Sequence, residues 1–318
     1  MDEFHDNGRG LAQRPTTDGF RELVPGGVGW PNRVSDLGPA EPVTRLFVQG
    51  RAFPSTESSI AIVGTRRPTI TGLEIAREMA CALAEAGFCV VSGLAIGIDA
   101  AAHRGALEVG GHTVGVLGCG LNVSFPERNA RLQRQIAARG TLVTEYPPGT
   151  PPLRHHFPAR NRIIAGLVGA VIVVEGGMRS GALITARLAT EANRNVYAVP
   201  GSPRNAVSMG PNHLIRSGFA ALVTGPQDVF DLIAPETTWT EPFRPGVRAP
   251  LAETQLTVLH ALETVPVTTD ELAGGIGVAP GAVALALSQL ELRGFARRTR
   301  AGLYLITEAG FRVSMESA

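Results

Sequence analysis

Six apolar runs of strand length recur between residues 60 and 201, and none of them alternates with polar residues. They read IAIVG (60–64), FCVVSG (88–93), TVGVLG (113–118), TLVTE (141–145), AVIVVEG (170–176) and NVYAVPG (195–201). Segments of helical period lie between them, such as GLEIAREMACALAEAG (72–87) and ALITARLATEANR (182–194). A strand with one wet face alternates, whereas a run that is apolar throughout is covered on both faces, and the intervening helices supply the cover. The expected fold is therefore α/β, a doubly wound parallel sheet.

The flanks read differently. Residues 1–43 are rich in Gly, Pro, Asp and Arg without a sustained period, which predicts a flexible N-terminal tail. TRLFVQGRAF (44–53) predicts a short edge strand leading into a sheet domain that spans 44–233. The proline-rich APETTWTEPFRPGVRAP (234–250) predicts a linker. Beyond it, in a small domain over 251–318, segments 254–264, 268–277 and 280–295 have helical character. Residues 296–306 suggest a ribbon turning at Ala301-Gly302. Three short helices and a ribbon form the winged-helix pattern.

The chain has 29 basic residues, and all of them are arginine. Without lysine there is no P-loop lysine, no Schiff base and no pyridoxal anchor. The net charge of +1 hides an uneven distribution: residues 60–235 hold 16 Arg against 11 acids, and residues 250–318 hold 5 against 7. Positive charge thus collects on the sheet domain. Cys81, Cys89 and Cys119 have no CxxC spacing and read as reduced core thiols. No apolar run reaches the ~20 residues of a membrane span. The polar start MDEFHDNGRG is no signal peptide, so a cytoplasmic location is expected, with no membrane, metal or cofactor.

Ligands of an open parallel sheet sit beyond the carboxyl ends of its strands. The loops there are GTRRPT (64–69), SGLAIGID (92–99), EGGMRSGALITA (175–186) and PGSPRN (200–205). Glycine or serine turns at several helix N-termini make a rim suited to anions. RHHFPARNR (154–162) adds three arginines and a phenylalanine in nine positions without an acid, a mixture suited to phosphate and a base face. No GxGxxG follows the first run, no GxxxxGK[ST] occurs, and GLAIG lacks the serine of a nucleophile elbow. Asp99 is expected to cap its helix, His103 to be a satisfied polar residue, and Glu175 to orient a loop rather than act as a base. His155 and His156 are adjacent and not spaced as joint metal ligands.

The strings VGTRRPT, VVSGLAIGIDAAAHRGAL, VLGCGLNVSFPERN, TEYPPGTPPLRHHFPARNRIIAGL, VVEGGMRSGALITARLA, VYAVPGSP and GPNHLIRSG follow one another as in the DNA-processing DprA (Smf) family, which the chain resembles closely over about 60–230. GWPNRVSDLGPAEPVTRLFVQGR (29–51) looks like the lead-in that precedes the fold in that family. The resemblance implies a Rossmann-like, non-enzymatic domain. It would bind single-stranded DNA as a homodimer and load RecA onto it in natural transformation or recombination. By motif, the implied DNA contacts are Gly64, Arg66, Arg67, Ser92, Gly93, Arg154, Phe157, Arg160, Asn161, Arg162, Ser180 and Gly181. Arg154, with Arg160 or Arg162, would clamp phosphates while Phe157 stacks on a base.

Two departures stand out. The residues before 44 are too few for the sterile-alpha-motif bundle with which many members begin. The third helix of the C-terminal domain offers Ser288 and Gln289 but no Arg, Lys or Asn before Arg293, whereas a major-groove reader needs such donors. That domain therefore reads as a protein-contact module, with Arg297, Arg298 and Arg300 on its ribbon, and a transcription factor is disfavoured. The alternative is a phosphoribohydrolase-like enzyme of a related Rossmann family using Glu175, although its PGGxGTxxE signature is absent.

Overall fold

In a computed structural model of the chain, the described residues are 14–15, 19–36, 42–233, 251–262, 265–292, 295–299, 302–307, 310 and 314. They fall into two compact units, Met1–Trp239 and Thr240–Ala318. The expected linker, 234–250, lies outside the described residues, as do Arg293, Arg300 and Ala301.

The first unit carries a ten-stranded sheet. Its strands are β1 (Arg14–Pro15), β2 (Arg21–Leu23), β3 (Leu46–Gly50), β4 (Ser59–Val63), β5 (Cys89–Ser92), β6 (Thr113–Val116), β7 (Thr141–Thr144), β8 (Ala170–Val173), β9 (Asn195–Ala198) and β10 (Ala221–Leu222). The helices of this unit are α1 (Ile70–Glu85), α2 (Ile98–Glu108), α3 (Ala130–Arg139), α4 (His156–Gly166), α5 (Gly181–Glu191), α6 (Met209–Arg216) and α7 (Pro226–Ile233). Spatial order is β1-β2-β3-β7-β6-β5-β4-β8-β9-β10, and β7 through β10 are mutually parallel. From β4 the chain winds through β5 and β6 to β7 on one side and, after returning, through β8 and β9 to β10 on the other. The reversal lies between β4 and β8, so their carboxyl ends flank the crevice where such sheets bind ligands.

The uniform apolar runs have their expected cause. In β4, Ile60 and Ile62 pack with α1, α2 and α7 side chains such as Met79, Ile98 and Phe230, while Ala61 and Val63 pack with Ile163 and Ile164 of α4. Both faces are covered, so neither set is free to be polar.

Two expectations about the N-terminus are corrected. The tail does not stay outside the fold: Phe20, Leu23, Trp30, Val34 and Val43 are buried, and β2 pairs antiparallel with β3. Nor is β3 an edge strand, because it lies between β2 and β7 and is antiparallel to both. This segment contributes isolated large side chains from irregular backbone, and so it has no period to detect.

The second unit contains α8 (Glu253–Ala261), α9 (Thr269–Ile276), α10 (Pro280–Leu292) and an antiparallel ribbon of β11 (Ala296–Arg298) and β12 (Tyr304–Ile306). A further bridge joins Val267 to Tyr304. Thr268 and Glu271 cap the second helix reciprocally, as the T-x-x-E spacing demands. Ser288 donates to Ala284 O of its own helix, and Gln289 accepts from Gln255, so the two polar side chains expected on the third helix are both engaged.

Candidate nucleic-acid interface

A cleft of about 1200 Å³ opens beyond the carboxyl ends of β4 and β8, bounded by the loops that follow them and by the start of α4. Its rim carries four exposed arginines, Arg66, Arg67, Arg154 and Arg179. Among the described residues the one acid in its lining is Asp99, which is buried and faces the buried Arg160. Burial pushes the Asp99 carboxyl up, while Arg160 and the N–H groups of Ala95 and Gly93 pull it back. The mouth therefore presents positive charge with no exposed carboxylate to neutralise it.

The loop after β4 is held by a buried carboxylate. Glu175 accepts from the Thr69 N–H at 2.9 Å and from the Thr69 hydroxyl at 2.5 Å, and Thr69 in turn caps α1 by accepting from Gly72 N. Thr65 N donates to the Glu175 carbonyl. This is the loop-orienting role expected of Glu175, and it turns Arg66 and Arg67 outward. Gly64 lies against Ile98 and the Glu175 carbonyl, where a Cβ would come within 2.5 Å of Ile98 Cγ1. Its small size serves the close approach of α2.

Two aromatic rings line the same mouth. Phe157 is half-buried, its centroid 5.4 Å from that of Phe125, and the Arg66 guanidinium carbon lies 5.4 Å from the Phe157 centroid. A Cβ at Gly118 would press on the Phe157 ring at 3.2 Å, so glycine leaves the ring its seat. The neighbouring histidine turns inward: His156 stacks on Tyr146 at 3.8 Å and its Nδ1 meets Gly118 O. Elsewhere in the lining Ser180 caps α5 by accepting from Ala182 N, and exposed Gly181 begins that helix. The first N–H groups of a helix have no carbonyl partner within it, and the helix dipole there favours an anion.

Five of the expected contact residues are not exposed at the mouth: Arg160 and Asn161 line the cleft but are buried, and Ser92, Gly93 and Arg162 lie outside its lining. Ser92 is fully buried and donates to Ile62 O. Gly93 is buried against the Arg160 guanidinium, and its N–H donates to Asp99. Arg160 donates through Nη1 to the carbonyls of Gly93 and Val116 and through Nε to Asn161 Oδ1. Asn161 is buried and ties α4 to the start of α5 by donating to Gly181 O. Arg162 forms a two-point pair with Glu145 at 2.9 and 2.7 Å. The two arginines expected to clamp a phosphate with Arg154 are thus engaged by the protein's own groups, Arg160 by the carbonyls of Gly93 and Val116 and Arg162 by the Glu145 carboxylate.

Asp99 does not cap α2, which begins after Gly97, but accepts backbone N–H groups of the preceding loop. His103 meets Thr113 through Nδ1, while its buried Nε2 has no partner. Arg179 and Phe125 are not among the expected contacts, yet both line the cleft. Arg179 directly precedes the expected Ser180 in EGGMRSG, and Phe125 sits in a quoted motif, so both signals were present but unassigned.

Comparisons with known proteins bear on this cleft. The family model described as DNA recombination-mediator protein A matches residues 23–234, and the DprA winged helix domain matches 244–302. The chain is 43% identical over 254 residues to the putative DNA processing protein DprA of Mycobacterium tuberculosis, which covers 79% of this chain and 64% of that protein. It is 39% identical over 262 residues to Protein Smf of Escherichia coli, covering 74% and 70% respectively. Among solved structures, DNA processing protein A of Streptococcus pneumoniae aligns with a TM-score of 0.62 and 42% identity, over 66% of this chain and 73% of that one. The Helicobacter pylori protein, described for its single-stranded DNA binding mode, aligns at 0.59 and 27% identity over 69% and 97%. The chain spans less than two thirds of the length of the Mycobacterium relative.

Proposed function

The chain belongs to the DNA recombination-mediator protein A family, and on that premise we propose that it holds single-stranded DNA in the arginine-rimmed cleft and delivers the strand to RecA. The observation that carries this reading is the joint presence of four exposed arginines and two accessible aromatic rings around one mouth, with no exposed acid among the described lining residues. Arginine supplies phosphate contacts, and a ring face accepts a base only when that base is unstacked from its neighbours. Duplex DNA hides its base faces, so the rings select for single strands. The Helicobacter pylori relative, described for single-stranded DNA binding, supports the same choice.

In this reading the protein acts without a chemical step, as a homodimer in the cytoplasm serving natural transformation or recombination, with no cofactor. The competing hydrolase reading needs a free acid at Glu175, but both carboxylate oxygens there accept from Thr69. The winged-helix unit is assigned to protein contact, since Ser288 and Gln289 are engaged within it.

The test is fluorescence anisotropy of labelled oligo-dT and of a matched duplex across a salt series, followed by RecA filament growth on the same oligonucleotide. Arg66→Ala and Arg154→Ala should each flatten the slope of log K against log salt by about 0.7. Phe157→Ala should weaken single-strand binding by ~1–3 kcal/mol. Equal affinity for duplex and single strand, or variants that bind like the parent, would sink the proposal.

A further inference from the structure

A second basic surface lies outside this cleft. A groove of about 480 Å³ runs between α2 and α3, lined by Arg104, Arg128, Arg131 and Arg139 with Glu108 and Gln135. All four arginines are exposed. Glu108 is already held by Arg77 of α1, which donates to both of its oxygens. Arg139 donates to Leu107 O at the end of α2. No ion pair is recorded among the described residues for Arg104, Arg128 or Arg131, so their guanidinium groups face solvent, with the exposed Glu127 beside Arg128 as the one acid of the joining turn.

The groove is continuous with the cleft along the chain. Phe125 lines the cleft, and Arg128, three residues on, lines the groove. The short turn of helix at Glu127–Asn129 joins them and leads directly into α3. On that helix Arg131 and Arg139 are eight residues apart, roughly 12 Å along the axis at 1.5 Å per residue. Along the chain, the arginines of α3 follow directly on the aromatic mouth. Among the described residues the groove has no aromatic ring in its lining. Its chemistry suits a sugar–phosphate backbone and provides no platform for bases.

We infer that the α2–α3 groove is a second phosphate-binding track, which takes the backbone of a single strand as it leaves the cleft past Phe125. The inference rests on the single-strand reading of the cleft. It makes affinity depend on strand length: a short strand fills the cleft alone, and a longer one reaches Arg128 and Arg131.

The experiment uses the full chain and its Arg128→Gln, Arg131→Gln double variant. Both positions are exposed and make no recorded side-chain hydrogen bond, so the fold should persist, which a melting curve checks. Arg104→Gln serves as an independent second variant on α2. Binding is measured with oligo-dT of about six and about twenty nucleotides, a range that brackets common single-strand site sizes. The double variant should bind the short strand as the parent does. On the long strand its salt slope should flatten by about 1.4, so the parent's advantage over it should shrink about sevenfold over a fourfold rise in salt. Arg104→Gln should show about half of that flattening. A double variant that matches the parent on both lengths overturns the track while leaving the cleft reading intact. A parent that prefers neither strand over duplex overturns both. A double variant weakened equally on both lengths places Arg128 and Arg131 within the cleft site and also overturns the separate track.

Discussion

Replacing Arg160 by methionine separates an architectural arginine from a DNA-binding one. The substitution keeps a long aliphatic stem and removes the charge. The carbonyls of Gly93 and Val116 and the side-chain oxygen of Asn161 then lose a donor, and Asp99 loses the cation it faces in the buried floor of the cleft. Breaking a buried pair from one side costs about 3–5 kcal/mol. Two orphaned carbonyls at ~1–3 kcal/mol each lead to a similar figure by a separate route. The two overlap and are not summed. At ~2–4 °C per kcal/mol for a unit of this size, the melting temperature should fall by about 6–20 °C. Thermal melts of the parent, Arg160→Met, Asp99→Asn and the double variant measure this, and the double should cost less than the sum of the singles because the two groups share one interaction. Below its melting temperature, Arg160→Met should keep the parent's salt slope for oligo-dT, whereas Arg154→Ala flattens it. A melt within ~2 °C of the parent, or a slope flattened by about 0.7, would refute the placement of Arg160 as the floor of the cleft.

Two further outcomes follow from buried side chains. Trp30→Ala should destabilise the first unit by about 3–5 kcal/mol, read from the urea midpoint, because the indole is buried beside Leu23 and Val34; a change under ~0.5 kcal/mol would return this segment to the status of a loose tail. Burial, helped by nearby arginines, pushes His103 down to about 3 and His112 down to about 4. The unfolded chain takes up protons near pH ~6.5 while the folded chain does not, so stability is full above that value and falls as pH drops toward 4, by up to ~1.4 kcal/mol per pH unit for each histidine. A urea midpoint unchanged between about pH 7 and about pH 5 would contradict the burial of these rings, and His112→Gln should reduce the slope.

Much of the candidate site was legible as motifs but not as orientations. GTRR and RHHF pointed to the mouth because Gly-rich turns and arginines after buried strands are local facts. Arg154 and Phe157 turn outward and His156 turns inward within four consecutive positions, and that division depends on Tyr146 and Gly118, which lie elsewhere in the chain. Arg160 reads like Arg154 in sequence, yet Gly93 O and Val116 O, 67 and 44 residues away, capture its guanidinium. Ser92 ends its strand where the ligand-side loop begins, but its hydroxyl donates to the Ile62 carbonyl of the neighbouring strand β4.

The sequence by itself determined the α/β layering, the existence of the six central strands and the three-helix character of the C-terminal unit. Burial on both faces and helical period are written in neighbouring residues. The tertiary structure decided the rest. It set the reversal between β4 and β8 that opens the cleft, brought the N-terminal segment into the core through Trp30 and β2, and made Arg66, Arg67, Arg154 and Arg179 rather than Arg160 and Arg162 the exposed charges. An arginine is free for a phosphate only if no carbonyl or carboxylate of its own protein reaches it first. Which groups reach it depends on strands that are distant in sequence and adjacent only after folding.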